Sequence, residues 1–189
     1  MNAGNPRLER LTADRAVLVV IDLQERFREL VHGMDTVLAH SQKLISFSHA
    51  LEIPVLVTEQ YPRGLGVTVK EIREMFRPFA AYEKTAFSCA GSAEFLAALR
   101  ATGRDQVVLC GIETHVCVYQ TACDLLRDGL RVVVAADAVS SCHAGDRELG
   151  LQRLRDVGAD VMGTQMLMFD LVRDAGSPAF KQVAALLRN

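Results

Sequence analysis

Several features are missing from this chain of 189 residues, and each absence narrows its role. Its 21 basic and 23 acidic residues are interspersed and leave a net charge of −2, so neither a nucleic-acid footprint nor a membrane-surface patch is expected. No apolar run reaches membrane-spanning length. Residues 1–14 form a polar extension with Pro6 and without the apolar core of a signal peptide, which makes the cytoplasm the expected location. Cys89, Cys110, Cys117, Cys123 and Cys142 are odd in number and include no CxxC pair, a pattern that fits neither a secreted disulfide framework nor a zinc ribbon. His32, His40, His49, His115 and His143 lack paired ligand spacing, so no metal is expected. The glycine-rich dinucleotide fingerprint is missing after the first strand, where Asp22-Leu23-Gln24-Glu25 stands instead, and no NAD, FAD or other cofactor is expected. No internal repeat, low-complexity tract or linker divides residues 1–189, which read as one domain.

What is present is apolar material in a regular alternation. Half the residues are hydrophobic, enough for a sizeable core. Ala16 to Ile21 is a β-branched run ending at Asp22, the pattern of a strand buried on both faces. Helical spacing from Met34 to Leu51 precedes a second strand, Val55 to Thr58, and then Glu59 to Gly66, where Pro62 and two glycines read as a loop. A short third strand within Ala81 to Phe87, a helix from Ala93 to Thr102, a strand from Val107 to Gly111 and a helix from Val116 to Asp128 follow. Arg131 to Ala136, ending at Asp137, reads as a fifth strand and Val161-Met162 as a sixth, with helices over 146–157, 166–173 and 178–187. Alternating strands and helices with right-handed crossovers predict an α/β fold: a three-layer helix–sheet–helix sandwich around a doubly wound, Rossmann-like sheet of six parallel strands.

Such a sheet gathers its ligands where strand ends meet at a switch in winding direction. Asp22, Lys84 and Cys117 all fall at strand ends or just beyond. Cys117 lies in the first turn after Gly111, with Thr114 as a plausible N-cap, and a helix N-terminus and a nearby cation both favour a thiolate. A carboxylate accepts the thiol proton and returns it to a leaving amine. Each residue also has a plain structural reading: Cys117 as a packing thiol, Asp22 as a loop cap, Lys84 as a solvated lysine. His115 is two residues from Cys117, a spacing that turns the two side chains apart.

Ile21-Asp22-Leu23-Gln24, Lys84-Thr85-Ala86-Phe87 and Gly111-Ile112-Glu113-Thr114-His115-Val116-Cys117 with Thr121-Ala122 occur in that order. In these three motifs, collinear over about Arg15 to Gly176, the chain resembles the isochorismatase-like cysteine hydrolases. Thr58 to Gly66 and Asp137-Ala138-Val139-Ser140-Ser141 are similar to the subgroup of isochorismatase domain-containing proteins. The resemblance implies Cys117 as nucleophile, Asp22 as general base and later acid, and Lys84 as the cation holding both. It also implies a cis peptide at Ile112–Glu113 and an oxyanion hole from the N–H groups of Glu113 and Cys117. The reaction implied is hydrolysis of a C–N bond, of amide or carbamoyl type, through a thioester. The nicotinamidase metal loop is not kept, because Glu59-Gln60-Tyr61-Pro62 holds no histidine. A vinyl-ether hydrolase, a redox-sensing thiol protein and a non-catalytic assembly protein stay open as alternatives. Gln24, Phe27, Tyr61, Phe87 and Ile112 are candidate substrate contacts for a small, partly apolar molecule, Phe27 and Phe87 being equally consistent with core. A homo-oligomer is expected, with Met162 to Phe169 as a contact or as core.

Overall fold

The computed structural model describes residues 9–187. Its elements in chain order are β1 (Ala16–Ile21), α1 (Met34–Ala50), β2 (Val55–Gln60), α2 (Pro62–Leu65), α3 (Lys70–Arg73), β3 (Tyr82–Lys84), α4 (Ala93–Ala101), β4 (Gln106–Ile112), α5 (Tyr119–Arg127), β5 (Arg131–Ser140), α6 (Ala144–Asp156), β6 (Asp160–Met162), α7 (Thr164–Val172) and α8 (Pro178–Leu187). The six strands are ordered β3-β2-β1-β4-β5-β6, and every adjacent pair is parallel. The doubly wound α/β sandwich is therefore formed. Its winding reverses between β1 and β4, and the crevice opens beyond the carboxyl ends of these two strands.

Strand alternation divides the core into two faces. Leu18 and Val20 of β1 join Val108 and Cys110 of β4 against Val37, Leu38 and Ile45 of α1, Ile72 of α3 and Leu167 of α7. Val17, Val19 and Ile21 meet Phe95 and Leu99 of α4, Ala122 and Leu125 of α5, and Leu151 and Leu154 of α6. Helix α8 docks outside, with Val183 packed against Phe47 and Met168.

The structure departs from the sequence reading in four places. Strand β2 runs on to Gln60, because Gln60 pairs with Lys84 of β3, and Pro62 to Leu65 then forms a helical turn with the proline at its start rather than an irregular loop. Strand β5 passes Asp137 and reaches Ser140, after a register shift against β4 between Leu109 and Gly111. Residues 1–8 of the predicted polar extension lie outside the described residues, but Leu11 within it is fully buried, and Thr12 N–H donates to Gln106 Oε1 at 2.8 Å. The chain after β4 enters α5 through a wide turn, Thr114 to Val118, of π-helical geometry.

Candidate active site

Two close backbone approaches build the crevice. Gly111 has φ +115°, and a Cβ there would lie 2.0 Å from the Ile21 carbonyl oxygen, so only glycine lets β4 lie this near β1 at their ends. Asp22 follows immediately on β1 with φ 54°, a left-handed conformation that aspartate tolerates better than most residues. This turn carries its carboxylate over the strand ends.

There the carboxylate meets three partners. Lys84 Nζ lies 2.6 Å from Asp22 Oδ2, with both side chains at 2% exposure or less. Thr58 Oγ1 donates to Oδ1 at 2.8 Å. The Cys117 thiol lies near enough to the same carboxylate for each to shift the other's proton affinity. The three residues proposed from separate parts of the sequence are brought together, and His115 turns away to place Nδ1 3.0 Å from Ser141 Oγ.

Burial, partly opposed by Lys84 and by the Thr58 and Cys117 hydrogen bonds, pushes the Asp22 carboxyl above its usual range. Burial alone would lower Lys84, but Asp22 and then the neighbouring thiols lift its ammonium above the usual lysine value. Cys117 is pushed up to about 12, by burial first and by the Asp22 charge second, with Lys84 and the Glu113 N–H acting the other way. This corrects the expectation of a resting thiolate. The cation that would favour the thiolate is already paired with a carboxylate, and the sulfur is only 6% exposed. Thr114 is likewise not the N-cap: Glu113 precedes the turn, and Thr114 Oγ1 is buried without a partner.

The wide turn has a local consequence. Glu113 carbonyl oxygen accepts from the N–H groups of both Val116 and Val118, stepping over Cys117, whose N–H would take that oxygen in an α-helix. The Ile112–Glu113 peptide is cis.

Several residues that hold this arrangement were not singled out in the sequence. Gln60 accepts from Lys84 Nζ through Oε1 at 2.6 Å and donates to Thr85 O through Nε2 at 2.8 Å. Cys89, fully buried, lies 3.7 Å from Thr58 Oγ1, and its N–H donates to Thr121 Oγ1 at 2.9 Å. The signal for Thr58 and Gln60 was present in the alternation of β2, since both lie on its one face, beside Asp22 and Lys84.

The predicted substrate contacts divide. Gln24 is fully buried, with its amide committed to the backbone: Oε1 accepts from Gln60 N–H at 2.8 Å, and Nε2 donates to Gln60 O at 3.0 Å and Gly66 O at 2.6 Å. It ties the β1 and β2 ends together and has no donor left for a ligand. Ile112 is fully buried in the α1-side core and does not wall the crevice. Phe27 is half-buried and packs on that core. Tyr61 and Phe87 are exposed at 53% and 54%. Tyr61 lines a cavity of about 420 Å³ along β3, together with Arg63, Glu83 and Lys84, and Phe87 offers its carbonyl to Lys84 Nζ at 3.0 Å. Neither Asp22 nor Cys117 lines that cavity, so it flanks the trio rather than containing it.

Glu59 accepts from the N–H and hydroxyl of Thr68 at 2.6 and 2.7 Å. Among the described residues no group of three or more His, Cys, Asp or Glu side chains converges as a metal site would require.

The buried thiols carry a stability prediction. Burial raises Cys89 to about 11 and Cys110 to about 12. Above the ordinary thiol value the unfolded chain releases these protons while the folded chain keeps them, so stability falls as pH rises through this range, on the order of 1 kcal/mol per pH unit for each group. Melting measured from pH 8 to 11 is expected to fall steeply, and Cys110→Ala to flatten the slope. A pH-independent melting temperature would contradict this.

The Isochorismatase domain family matches residues 16–166. Human isochorismatase domain-containing protein 2 is 38% identical over 189 residues, covering 100% of this chain and 90% of its own. The structure of MAR1 ribonuclease from Caenorhabditis elegans superposes with a TM-score of 0.89 at 36% identity, covering 96% of this chain and 93% of its own. YcaC from Pseudomonas aeruginosa, with hexane-2,5-diol and covalent acrylamide, superposes with a TM-score of 0.88 at 26% identity over 95% and 91% of the two chains. With the family matched across most of its length and the hydrolase fold complete around the switch point, the chain belongs to the isochorismatase family.

Proposed function

We propose that the protein is a cysteine hydrolase that cleaves a C–N bond, of amide or carbamoyl type, in a small molecule. The observation that carries this reading is the buried Asp22 carboxylate, held by Lys84 at 2.6 Å and Thr58 at 2.8 Å and set beside the Cys117 thiol. The thiol starts protonated, so proton transfer accompanies attack: Cys117 Sγ bonds to the carbonyl carbon as Asp22 takes the thiol proton. The charge that develops on the carbonyl oxygen is met by the N–H groups of Glu113 and Cys117, each donor in such a site contributing roughly 3 kcal/mol. Collapse breaks the C–N bond, and protonated Asp22 delivers its proton to the departing nitrogen. Asp22 then takes a proton from water, which hydrolyses the thioester and returns the thiol.

Tyr61 and Phe87, exposed beside the trio, are the apolar contacts for the substrate. The covalent acrylamide on YcaC, an electrophile that adds to a nucleophile at its terminal carbon, is consistent with a reactive nucleophile in that relative. Nucleic acid and membrane fit the site poorly, because its cation is buried against Asp22 and no helix among the described residues is long and apolar enough to cross a membrane. The five unpaired cysteines support a reducing, cytoplasmic location. Self-association is proposed through α7, where Met166 and Phe169 are exposed while Leu167 and Met168 belong to the core.

The test is a panel of small amides, ureides and carbamoyl compounds, read for released ammonia or amine and, after acid quench, for an acyl mass increment on Cys117. Both signals from the same compound are expected. Turnover of such a compound with no increment on Cys117 would overturn the reading.

A further inference from the structure

We infer that the Glu113 side chain is a positioning residue: its carboxylate, clamped to Cys142, sets the direction in which its own backbone N–H faces the reacting centre. The inference rests on the reading of Cys117 as nucleophile and asks what holds the oxyanion donors in place.

Glu113 is joined to its surroundings through both its carbonyl oxygen and its carboxylate. Its N–H lies near enough to the Cys117 sulfur to oppose the rise of that thiol's pKa. Its carbonyl oxygen starts the wide turn through Val116 and Val118, both at 3.1 Å. Its carboxylate, on a side chain only 15% exposed, accepts from Cys142 N–H at 3.1 Å and from Cys142 Sγ at 2.7 Å. Cys142 stands two residues beyond the end of β5. That strand reaches this far only because it continues past the register shift, which pairs Ile112 with Ser140. His115, 3.5 Å from the Glu113 carboxylate, is itself bonded to Ser141, and Asp146 lies 3.9 Å from its other ring nitrogen. From the opposite side α6 closes on the same backbone: a Cβ at Gly150 would lie 2.9 Å from His115 N.

The nucleophile turn is thus pinned to the end of β5 at Glu113 and again at His115, and pressed by α6. Of these contacts the Glu113 carboxylate acts on the residue whose N–H is the proposed donor. Releasing it frees that peptide to rotate, and a donor displaced by about 1 Å loses much of its effect on a developing oxyanion.

Two reagents of similar size distinguish this role from a general loosening. Acrylamide bonds to sulfur at its terminal carbon, and negative charge passes through its carbonyl oxygen before the thiol proton, carried by Asp22, reaches the α-carbon. Iodoacetamide bonds to sulfur with direct loss of iodide, and its carbonyl oxygen does not become an oxyanion. The readout is the rate of Cys117 modification by each reagent, followed by peptide mass in the full-length protein. Glu113→Ala is expected to lower the acrylamide-to-iodoacetamide rate ratio at least about tenfold. Glu113→Asp keeps the charge but draws it one methylene back from Cys142, and is expected to do the same; it also serves if the alanine variant does not fold. Glu113→Gln keeps the reach and an acceptor, and is expected to stay within about threefold of the wild-type ratio. Ratios within twofold of wild type in both the alanine and aspartate variants, or a glutamine variant as impaired as alanine, would overturn the inference. Failure of the underlying reading looks different: Cys117 of the wild-type protein is then modified by neither reagent.

Discussion

Replacing Cys117 with alanine is expected to lower turnover by about three orders of magnitude or more while leaving the fold in place. The size follows from the proposed role, in which the sulfur is the atom that bonds to the substrate and no neighbouring group substitutes for it. Cys89, the other thiol near Asp22, is fully buried and directed at Thr58. The cost to stability is small, about 1 kcal/mol for a small cavity, because only the sulfur is removed. Cys117→Ser is expected to be nearly as inactive. A hydroxyl in the same place is a weaker acid than the thiol, and Asp22, although raised, is a weak base for it. The measurement is kcat in both variants on whichever compound the wild-type protein hydrolyses, with melting temperature as the control. An alanine variant retaining more than a tenth of wild-type turnover would show that Asp22 activates water directly and that the sulfur is not the nucleophile.

Lys84→Met is expected to damage both folding and activity. The pair it breaks is among the most buried ionic contacts in the molecule, at 1% and 2% side-chain exposure. Removing one partner of such a pair typically costs about 3–5 kcal/mol, because the remaining charge is left without compensation in a medium that solvates it poorly. Asp22 relieves part of this cost by protonating, since burial already holds it above its usual range and loss of the cation pushes it further. The sign of the pH dependence follows. A folded carboxyl raised above its unfolded value contributes stability at low pH, and that contribution is lost as pH rises through the folded value. The variant is therefore expected to be closer to wild type at pH 5 than at pH 8 in urea unfolding. Its activity at neutral pH is expected to be lost, because a protonated Asp22 cannot accept the thiol proton. A loss of less than about 1 kcal/mol at pH 8 would mean that the pair is not what holds the strand ends together.

The fold was legible because its signals are local and repeated. The apolar run of β1, the 3.6-residue spacing of α1 and the glycine at the turn beyond α5 each reflect burial on a known period. Asp22, Lys84 and Cys117 were legible as chemistry because each sits where a strand gives out. The geometry around them was less so. Gln24 read as a free amide, since nothing in its neighbours announces that it bonds to Gln60 and Gly66 across the crevice. Ile112 read as a wall of the crevice because it adjoins the turn, whereas strand alternation points it into the core. The thiol's acidity was misjudged for a related reason: a helix start and a cation are visible in the sequence, but the carboxylate that neutralises the cation, and the depth at which all three lie, belong to the folded molecule. Cys142 gave no sign of its contact with Glu113, which depends on a register shift three strands away from the cation.

The last three residues of β2 have a consequence for how this site tolerates change. Thr58 and Gln60 face Asp22 and Lys84, while Glu59 between them faces Thr68. Side chains on a strand take turns, so inserting or deleting one residue between Val55 and Gln60 would reverse their parity and swing a second carboxylate toward the ammonium of Lys84. That competitor would draw the cation off Asp22 without any chemically important residue having been altered. The length of this strand is thus constrained as tightly as the identity of the residues it supports.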